Sequence, residues 1–216
     1  MATLRIDFFH DVLCAWCYVL SPRLERLVGE LQDRGVEVDL RHHTFALAPE
    51  PDDLVRMFGS REEAKREILG HWQQAAAHDD EEGRIRPDLM AQRPFPYPHS
   101  TPGLLACAAA QILEGNEGHG RYFQRVQQAH LTECRDIADR DTLLDIAQEC
   151  GFDLGLFAET MDGPQAREIL AADRQLAALW AIYAVPALVL QNRWRISGAL
   201  PYERLRAAVE RAVTSD

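Results

Sequence analysis

The sequence is poor in basic residues and lacks any long apolar run. Lysine and arginine number 23 against 34 aspartates and glutamates, which gives the 216 residues a formal net charge of −11. Such a charge repels phosphate backbones and anionic lipid headgroups, so the composition argues against binding to nucleic acid or to a membrane surface. No stretch of the sequence approaches the roughly 20 apolar residues that cross a bilayer.

The first residues also lack the pattern of a secretory leader. The short apolar run in MATLRIDFFHDVLCAW is broken by Arg5, Asp7, His10 and Asp11, and no small-residue cleavage site follows a continuous apolar core. We therefore expect a cytoplasmic protein. The chain has five cysteines. Because an odd number cannot all pair within one chain, the count argues against a structural disulfide framework of the kind found in secreted proteins.

The first fifty residues predict a strand, a helix and a second strand. Apolar and polar residues alternate over 3–9, apolar residues recur at helical intervals over 15–34, and alternation returns over 36–47. Gly35 is placed to end the helix. A pair of strands with about twenty helical residues between them forms a parallel pair joined by a right-handed crossover.

The middle of the chain is helical in character, and the end returns to strands. Helical patterns cover 60–78, 101–115, 119–133, 139–151 and 163–179, while five prolines between Pro87 and Pro102 predict an extended loop. Strands are predicted at 187–190 and 193–196, and a last helix at 201–213. We thus expect an α/β protein whose β-α-β and β-β-α halves, residues 1–50 and 180–216, form one core around an inserted helical domain at 51–179.

The motif that carries chemistry is Cys14-Ala15-Trp16-Cys17. It follows the first strand and opens the first helix, so the first sulfur lies at the helix N-terminus, where unpaired N–H groups and the helix dipole favour a thiolate. The second sulfur lies one turn further on, and a disulfide between them is easy to form. Cys14 is the expected nucleophile and Cys17 the resolving thiol, with Ala15 and an exposed Trp16 setting the redox poise.

Two plainer interpretations of the motif remain open. Cysteine is among the most buried residues, so the pair could simply pack in a core. A structural zinc site would need four ligands, and Cys107, Cys134 and Cys150 stand alone without a paired histidine spacing. We therefore predict no metal site and leave these three cysteines outside the candidate site.

A second element lies near the end of the chain, at Val185-Pro186. A proline directly before an apolar strand removes a backbone donor from the ladder. A cis Val185–Pro186 bond would give a sharp entry into the strand and free the Val185 backbone for a substrate chain, whereas a trans proline at a strand start is the commoner arrangement.

Two further residues precede the cysteines. Asp11 is a candidate proton acceptor for Cys17, since a buried carboxyl has a raised pKa; the alternative, which we favour, is a helix N-cap or a solvated turn residue. A protonated His10 would stabilise a Cys14 thiolate, and a packing role serves equally well.

With these residues in view, the sequence resembles the DsbA-like branch of the thioredoxin superfamily, and in particular the FrnE-like dithiol–disulfide isomerases. The segments that carry the resemblance are IDFFHDVLCAWCYVLSPRLERL, CRDIADRDTLLDIAQECGFD and VPALVLQNRWRISGALPYERL. The resemblance implies a thioredoxin fold with a helical insertion, a Cys14–Cys17 redox pair, and a cis Pro186 facing it with Val185 in contact with substrate. Ala15 departs from the proline that the family often has there.

The resemblance also sets the expected function and its alternatives. It implies a thiol–disulfide oxidoreductase or isomerase that acts on a protein or a small thiol, needs no bound cofactor beyond its own disulfide, and has glutathione as a potential co-substrate. A related branch, the kappa-class glutathione transferases and 2-hydroxychromene-2-carboxylate isomerases, typically has serine in place of Cys14. A third alternative is a non-catalytic peptide-binding or chaperone-like module. An apolar face of the helical block is a candidate homodimer contact.

Overall fold

β1 (Leu4–His10) is the strand around which the other elements are arranged. The computed structural model describes residues 3–214, with side chains as far as Ala212. The remaining strands are β2 (Val38–Thr44), β3 (Ala187–Leu190) and β4 (Trp194–Ser197). The helices are α1 (Ala15–Asp33), α2 (Pro51–Phe58), α3 (Arg61–Ala76), α4 (Pro87–Ala91), α5 (Ser100–Leu131), α6 (Arg140–Glu149), α7 (Leu154–Asp162), α8 (Pro164–Leu179) and α9 (Tyr202–Thr214).

The four strands form one mixed sheet in the order β2-β1-β3-β4. β1 runs parallel to β2, with Phe8 opposite His42, and antiparallel to β3, with Phe8 opposite Leu188. β3 and β4 form a hairpin whose turn residues Gln191 and Asn192 both have positive φ, as the tight turns that match strand twist require. This is the thioredoxin-like arrangement of a β-α-β unit and a β-β-α unit, with a largely helical segment between β2 and β3.

α1 contains a proline in its interior and compensates for it. Pro22 has no N–H to donate to the carbonyl of Tyr18, four residues earlier. The Arg84 guanidinium donates to that carbonyl at 2.7 Å and lies 4.0 Å above the Tyr18 ring. The freed backbone acceptor is therefore satisfied by a side chain from the loop before α4, and the helix continues to Asp33.

One apolar core extends from the sheet into the helical segment. It contains Phe8 from β1 and Leu24 from α1 together with Trp72 from α3, Phe123 from α5 and Phe157 from α7, all essentially inaccessible to solvent. The helices between β2 and β3 therefore pack against the sheet and α1 and share one core with them. Residues 1–2 and 215–216 of the predicted core halves lie outside the described residues.

The opposite face of β1 carries a buried ionic network. Asp7 accepts hydrogen bonds from Arg5 and lies 2.8 Å from His43 Nε2, while Asp173 of α8 lies 2.8 Å from His43 Nδ1. Burial opposes the charge on His43, but the hydrogen bonds with Asp173 and Asp7 outweigh it and raise the pKa of His43 to about 9. The network links α8 to β1 and β2 through a protonated imidazole.

Several helices differ from the sequence-based prediction. α2, α4 and α7 were not predicted: α2 and α4 are short and each begins at a proline, and α4 lies inside the segment predicted to be extended. The patterns at 101–115 and 119–133 belong to one long helix with a kink, where Glu114 and Gly115 leave helical geometry and Gly115 has a φ of 68°. Within residues 3–214, no helix is long and apolar enough to span a membrane.

Candidate active site

Cys14 is the N-cap of α1, and its sulfur accepts a hydrogen bond from the backbone of the third helical residue. The Cys17 N–H donates to the Cys14 Sγ at 3.2 Å and also to the Cys14 carbonyl at 3.0 Å. The sulfur therefore lies at the positive end of the helix dipole. The structure thus places Cys14 where the sequence predicted it, with 6% of the residue exposed.

Cys17 lies one turn into the helix and is completely buried. Burial, followed by the hydrogen bond with the Cys14 sulfur, raises the pKa of the Cys17 thiol well above its usual range. Both cysteines are reduced in this structure. The pair therefore consists of one sulfur at the edge of the site and one protonated thiol held behind it.

Val185 and Pro186 lie opposite the cysteines. The Val185–Pro186 peptide bond is cis. The Cys14 thiol donates to the Val185 carbonyl, with 3.5 Å between Sγ and the oxygen. The loop before β3 is thus in direct contact with the nucleophilic sulfur, although 171 residues separate the two in sequence.

The two residues between the cysteines differ in their surroundings. Ala15 is buried. Trp16 is half-buried, and its ring centroid lies 5.3 Å from that of His78, which follows α3. Its indole lines the cavity beside Cys14.

Asp11 is neither an N-cap nor a solvated turn residue, which corrects the favoured interpretation. It is fully buried, and its carboxylate accepts hydrogen bonds from the Leu13 N–H at 3.0 Å, the Leu47 N–H at 2.6 Å and the Ser100 hydroxyl at 2.7 Å. Burial raises the pKa of the Asp11 carboxyl to about 6. Asp11 thus joins the cysteine loop to the segment after β2 and to the start of α5.

The raised pKa of Asp11 predicts a pH-dependent effect on stability. The folded protein keeps this proton until about pH 6 and the unfolded chain releases it near 3.8. Its contribution to stability is therefore fully present below pH 3.8 and is lost as the pH rises through 6. Asp11→Asn carries no titrating group there, so its stability relative to wild type should improve by ~2–3 kcal/mol between pH 3.5 and 7.5. Denaturant unfolding of both proteins at the two pH values measures this change, and a difference independent of pH would contradict it.

His10 does not lie where a thiolate-stabilising cation would be needed. Its ring stacks on Phe123, with centroids 3.6 Å apart, and is completely buried next to His42 and His119. Burial lowers the pKa of His10 well below its usual value, so the imidazole is neutral. The expected role for a protonated His10 is therefore not what the structure shows.

Two side chains from outside the motif hold the backbone of the cysteine loop. Gln127 of α5 donates its amide N–H to the carbonyls of Asp11 at 3.3 Å and Cys14 at 3.1 Å. The Tyr97 hydroxyl donates to the Leu13 carbonyl at 3.4 Å and accepts from the Trp72 indole at 3.1 Å. Tyr97 belongs to the proline-rich segment, whose aromatics are candidates to line a groove, whereas no local motif marks Gln127.

An apolar cavity of about 270 Å³, here called the Cys14 groove, opens beside the nucleophile. Its walls come from the cysteine loop, the segment after β2, α2, α3 and Val185. The lining residues are Leu13, Cys14, Ala15, Trp16, Leu47, Ala48, Leu54, Met57, Phe58, Ile68, His71, Trp72, Tyr97 and Val185. Met57 and Leu47 are 53% and 41% exposed, so apolar surface lies open to solvent beside the reactive sulfur.

The Cys14 groove has little charge to offer a ligand. Its described lining includes no lysine or arginine, and His71 is its one basic residue. A ligand with several carboxylates would lose hydration there without an ion pair in return. The groove suits an apolar side chain of a substrate better than a small polyanion.

The three remaining cysteines lie elsewhere. Cys107 is buried within α5, Cys134 is buried just after α5, and Cys150 is half-buried at the end of α6. None of them lines the Cys14 groove. Burial raises the pKa of all three thiols, which makes them poor nucleophiles at neutral pH.

Comparison with known proteins identifies relatives of this arrangement. The family model for the DSBA-like thioredoxin domain matches residues 5–210. A solved structure from Nitrosomonas europaea has a TM-score of 0.78 at 20% identity and covers 98% of both chains. The cytosolic disulfide reductase DsbM of Pseudomonas aeruginosa, solved also with glutathione, has a TM-score of 0.68 at 26% identity over 96% of this chain and 94% of DsbM.

An enzyme of different activity shares the same fold. 2-Hydroxychromene-2-carboxylate isomerase has a TM-score of 0.66 at 17% identity, over 97% of this chain and 96% of that one. This likeness shows the common fold alone.

Proposed function

Because the chain belongs to the DSBA-like thioredoxin domain family, we propose that it is a thiol–disulfide oxidoreductase whose working group is the Cys14–Cys17 pair. One observation carries the proposal: the Cys14 sulfur accepts the Cys17 N–H in the first turn of α1, contacts the Val185 carbonyl and opens onto an apolar groove, with Cys17 directly behind it. This arrangement provides a nucleophile in the lining of the groove and an internal thiol that releases it.

The reaction has two exchange steps. The Cys14 thiolate attacks one sulfur of a substrate disulfide; a Cys14–substrate disulfide forms, and the other substrate sulfur leaves as a thiolate and takes up a proton. Cys17 then loses its proton and attacks the Cys14 sulfur, which expels the second substrate thiol. The substrate gains two electrons and two protons, and the protein is left with a Cys14–Cys17 disulfide. Two molecules of a thiol such as glutathione restore the dithiol in two exchanges and leave as their disulfide, and the same steps reversed oxidise a substrate dithiol.

The second step needs a proton acceptor, because the buried Cys17 is a thiol at neutral pH. Asp11 is the candidate. Its pKa of about 6 leaves it ionised at neutral pH yet able to take up a proton, and its charge adds a small part to the rise in the Cys17 thiol pKa, which comes mainly from burial and from Cys14. Asp11 owes this raised pKa to its complete burial.

The groove indicates the class of substrate. Apolar lining next to Cys14 favours a cysteine flanked by apolar residues in a protein or peptide. The paucity of basic groups disfavours glutathione as a tightly held ligand, so glutathione enters as a co-substrate through its thiol. We place the activity in the cytoplasm, where DsbM, by its description, also acts.

The test uses a peptide disulfide with apolar residues beside its cysteine and reduced glutathione as electron donor. Wild type should reduce the peptide catalytically, and Cys14→Ser should lose about 10³-fold or more of the rate, because serine is a far weaker nucleophile toward sulfur. Retention of the rate in Cys14→Ser would overturn the proposal and favour a binding module whose cysteines do not react.

A further inference from the structure

Three histidines that are far apart in sequence meet inside the core. His10 ends β1, His42 lies in β2, and His119 lies in α5 beyond the kink. All three are buried, and one ring nitrogen from each lies within 4.8 Å of the others. We call these three residues the histidine cluster. It lies on the face of the sheet opposite His43, since neighbouring residues of a strand point to opposite faces.

The histidine cluster contains ring nitrogens that the protein does not satisfy. His10 Nδ1 and His119 Nε2 are buried and have no hydrogen-bond partner among the described residues. Leaving a buried polar atom unpaired costs roughly 1–3 kcal/mol, so such atoms in a folded core indicate a bound group or a functional constraint. Two of them in one cluster are a substantial cost for a packing role alone.

A neighbouring amide fixes one of the rings in the ligating form. The His119 Nδ1–H donates to the Gln111 Oε1 at 2.8 Å, which leaves the lone pair on Nε2. This is the pattern of metal-binding histidines, whose second nitrogen usually donates to an oxygen. His42 Nδ1 and His10 Nε2 share a hydrogen bond at 3.3 Å, which leaves Nδ1 as the unpaired nitrogen of His10.

We propose that His10, His42 and His119 bind a divalent late first-row transition-metal ion such as Zn²⁺, through one ring nitrogen each. Imidazole nitrogens select ions of this type, whereas Mg²⁺ and Ca²⁺ require oxygen ligands. The three rings are neutral, which is the form that binds metal, because burial lowers the pKa of each. In a tetrahedral site with zinc–nitrogen bonds of about 2.0–2.1 Å the ligand nitrogens lie roughly 3.4 Å apart, so a bound ion would draw the three rings together from their present spread of up to 4.8 Å.

A small cavity lies beside His42. It has a volume of about 20 Å³, large enough for about one water, and is also lined by Ser21, Glu25 and Gln124. A water in this cavity is the candidate for a fourth ligand. Because its ligands come from β1, β2 and α5, the ion would join the sheet to the longest helix and stabilise the fold.

The test must separate this site from the dithiol, which itself binds Zn²⁺. The Cys14→Ser/Cys17→Ser double variant serves as the background, and Zn²⁺ and Co²⁺ are the probes. We expect one Zn²⁺ per chain by elemental analysis, a higher unfolding temperature with Zn²⁺, and a four-coordinate Co²⁺ absorption spectrum without a thiolate charge-transfer band. His119→Gln in this background should lower the Zn²⁺ affinity by about 100-fold or more.

Two further variants keep the test decisive. Gln111→Leu leaves all three ligands in place and should lower the affinity by about 10- to 100-fold through loss of the bond to His119. His130→Gln is the matched control, since His130 lies in the same helix, is equally buried and also has an unpartnered Nδ1, yet lies outside the cluster. It should bind Zn²⁺ as the background does. Absence of Zn²⁺ binding by the background, or equal binding by folded His119→Gln and the background, would overturn the proposal.

Discussion

Cys17→Ser is expected to convert the protein into a trap for its substrate. The first exchange step needs only Cys14, which keeps its position at the start of α1 because the donor to its sulfur is the backbone N–H of residue 17 and not the side chain. The second step loses its nucleophile. The mixed disulfide between Cys14 and the substrate should therefore accumulate, and release should slow by about 10³-fold or more, because an internal thiol acts at a high effective concentration.

Non-reducing electrophoresis and intact mass measure this accumulation with the same apolar peptide disulfide. Cys14→Ser/Cys17→Ser is the control, and it should form no adduct. Cys107, Cys134 and Cys150 remain in both variants, so any adduct through them would occur equally in the two proteins. A Cys17→Ser protein that turns over as fast as wild type would show that Cys17 does not resolve the intermediate.

The second large effect concerns the Cys14 groove. Met57→Glu places a charge on its exposed rim, at a side chain that is 53% exposed. An apolar substrate residue bound in the groove would then contact a carboxylate in place of the Met57 thioether. We expect kcat/KM for the apolar peptide disulfide to fall about 10-fold or more, equivalent to ~1.4 kcal/mol of lost contact. Oxidised glutathione, which gains little from the apolar wall, should be affected about twofold or less.

Leu156→Glu is a close control for this substitution. Leu156 is also a helical residue that is 53% exposed, but it lies in α7 and does not line the groove. The same charge there should leave both substrates unaffected. Equal losses of kcat/KM in the two variants would indicate a general effect of charge and would show that the groove does not determine specificity.

The sequence predicts the sheet and the first helix closely because their signals are local. β1, α1 and β3 lie within one residue of the predicted ranges, since alternation and helical recurrence act over a few neighbours. Even Pro22 leaves the prediction of α1 correct, although the contact that makes this proline tolerable comes from Arg84, far along the chain. α2 and α7 are not predicted, because short helices have few repeats of the apolar pattern and their helical form depends on packing against neighbours.

The candidate site likewise contains residues that a local motif reveals and residues that only the tertiary fold brings together. Cys14 and Cys17 are recognisable because their spacing alone places both sulfurs at a helix start. Asp11 has its raised pKa because the fold buries it completely, among segments that include Leu47 and Ser100, 36 and 89 residues away; their hydrogen bonds to the carboxylate offset part of that rise. Neighbours of this kind cannot be inferred from a motif. The groove walls and the histidine cluster are likewise products of the tertiary fold.

The central claim is that Cys14 and Cys17 form one reversible redox couple, and its reduction potential is the most direct measurement. The protein is equilibrated in glutathione buffers of graded ratio, quenched, and mapped by mass spectrometry so that residues 14 and 17 are read separately from the other cysteines. The account predicts a single two-electron transition between the Cys14–Cys17 disulfide and the dithiol. Absence of any reversible transition at these positions, with glutathione instead bound tightly as an unreacted ligand, would contradict it and point to glutathione-dependent isomerase or transferase chemistry.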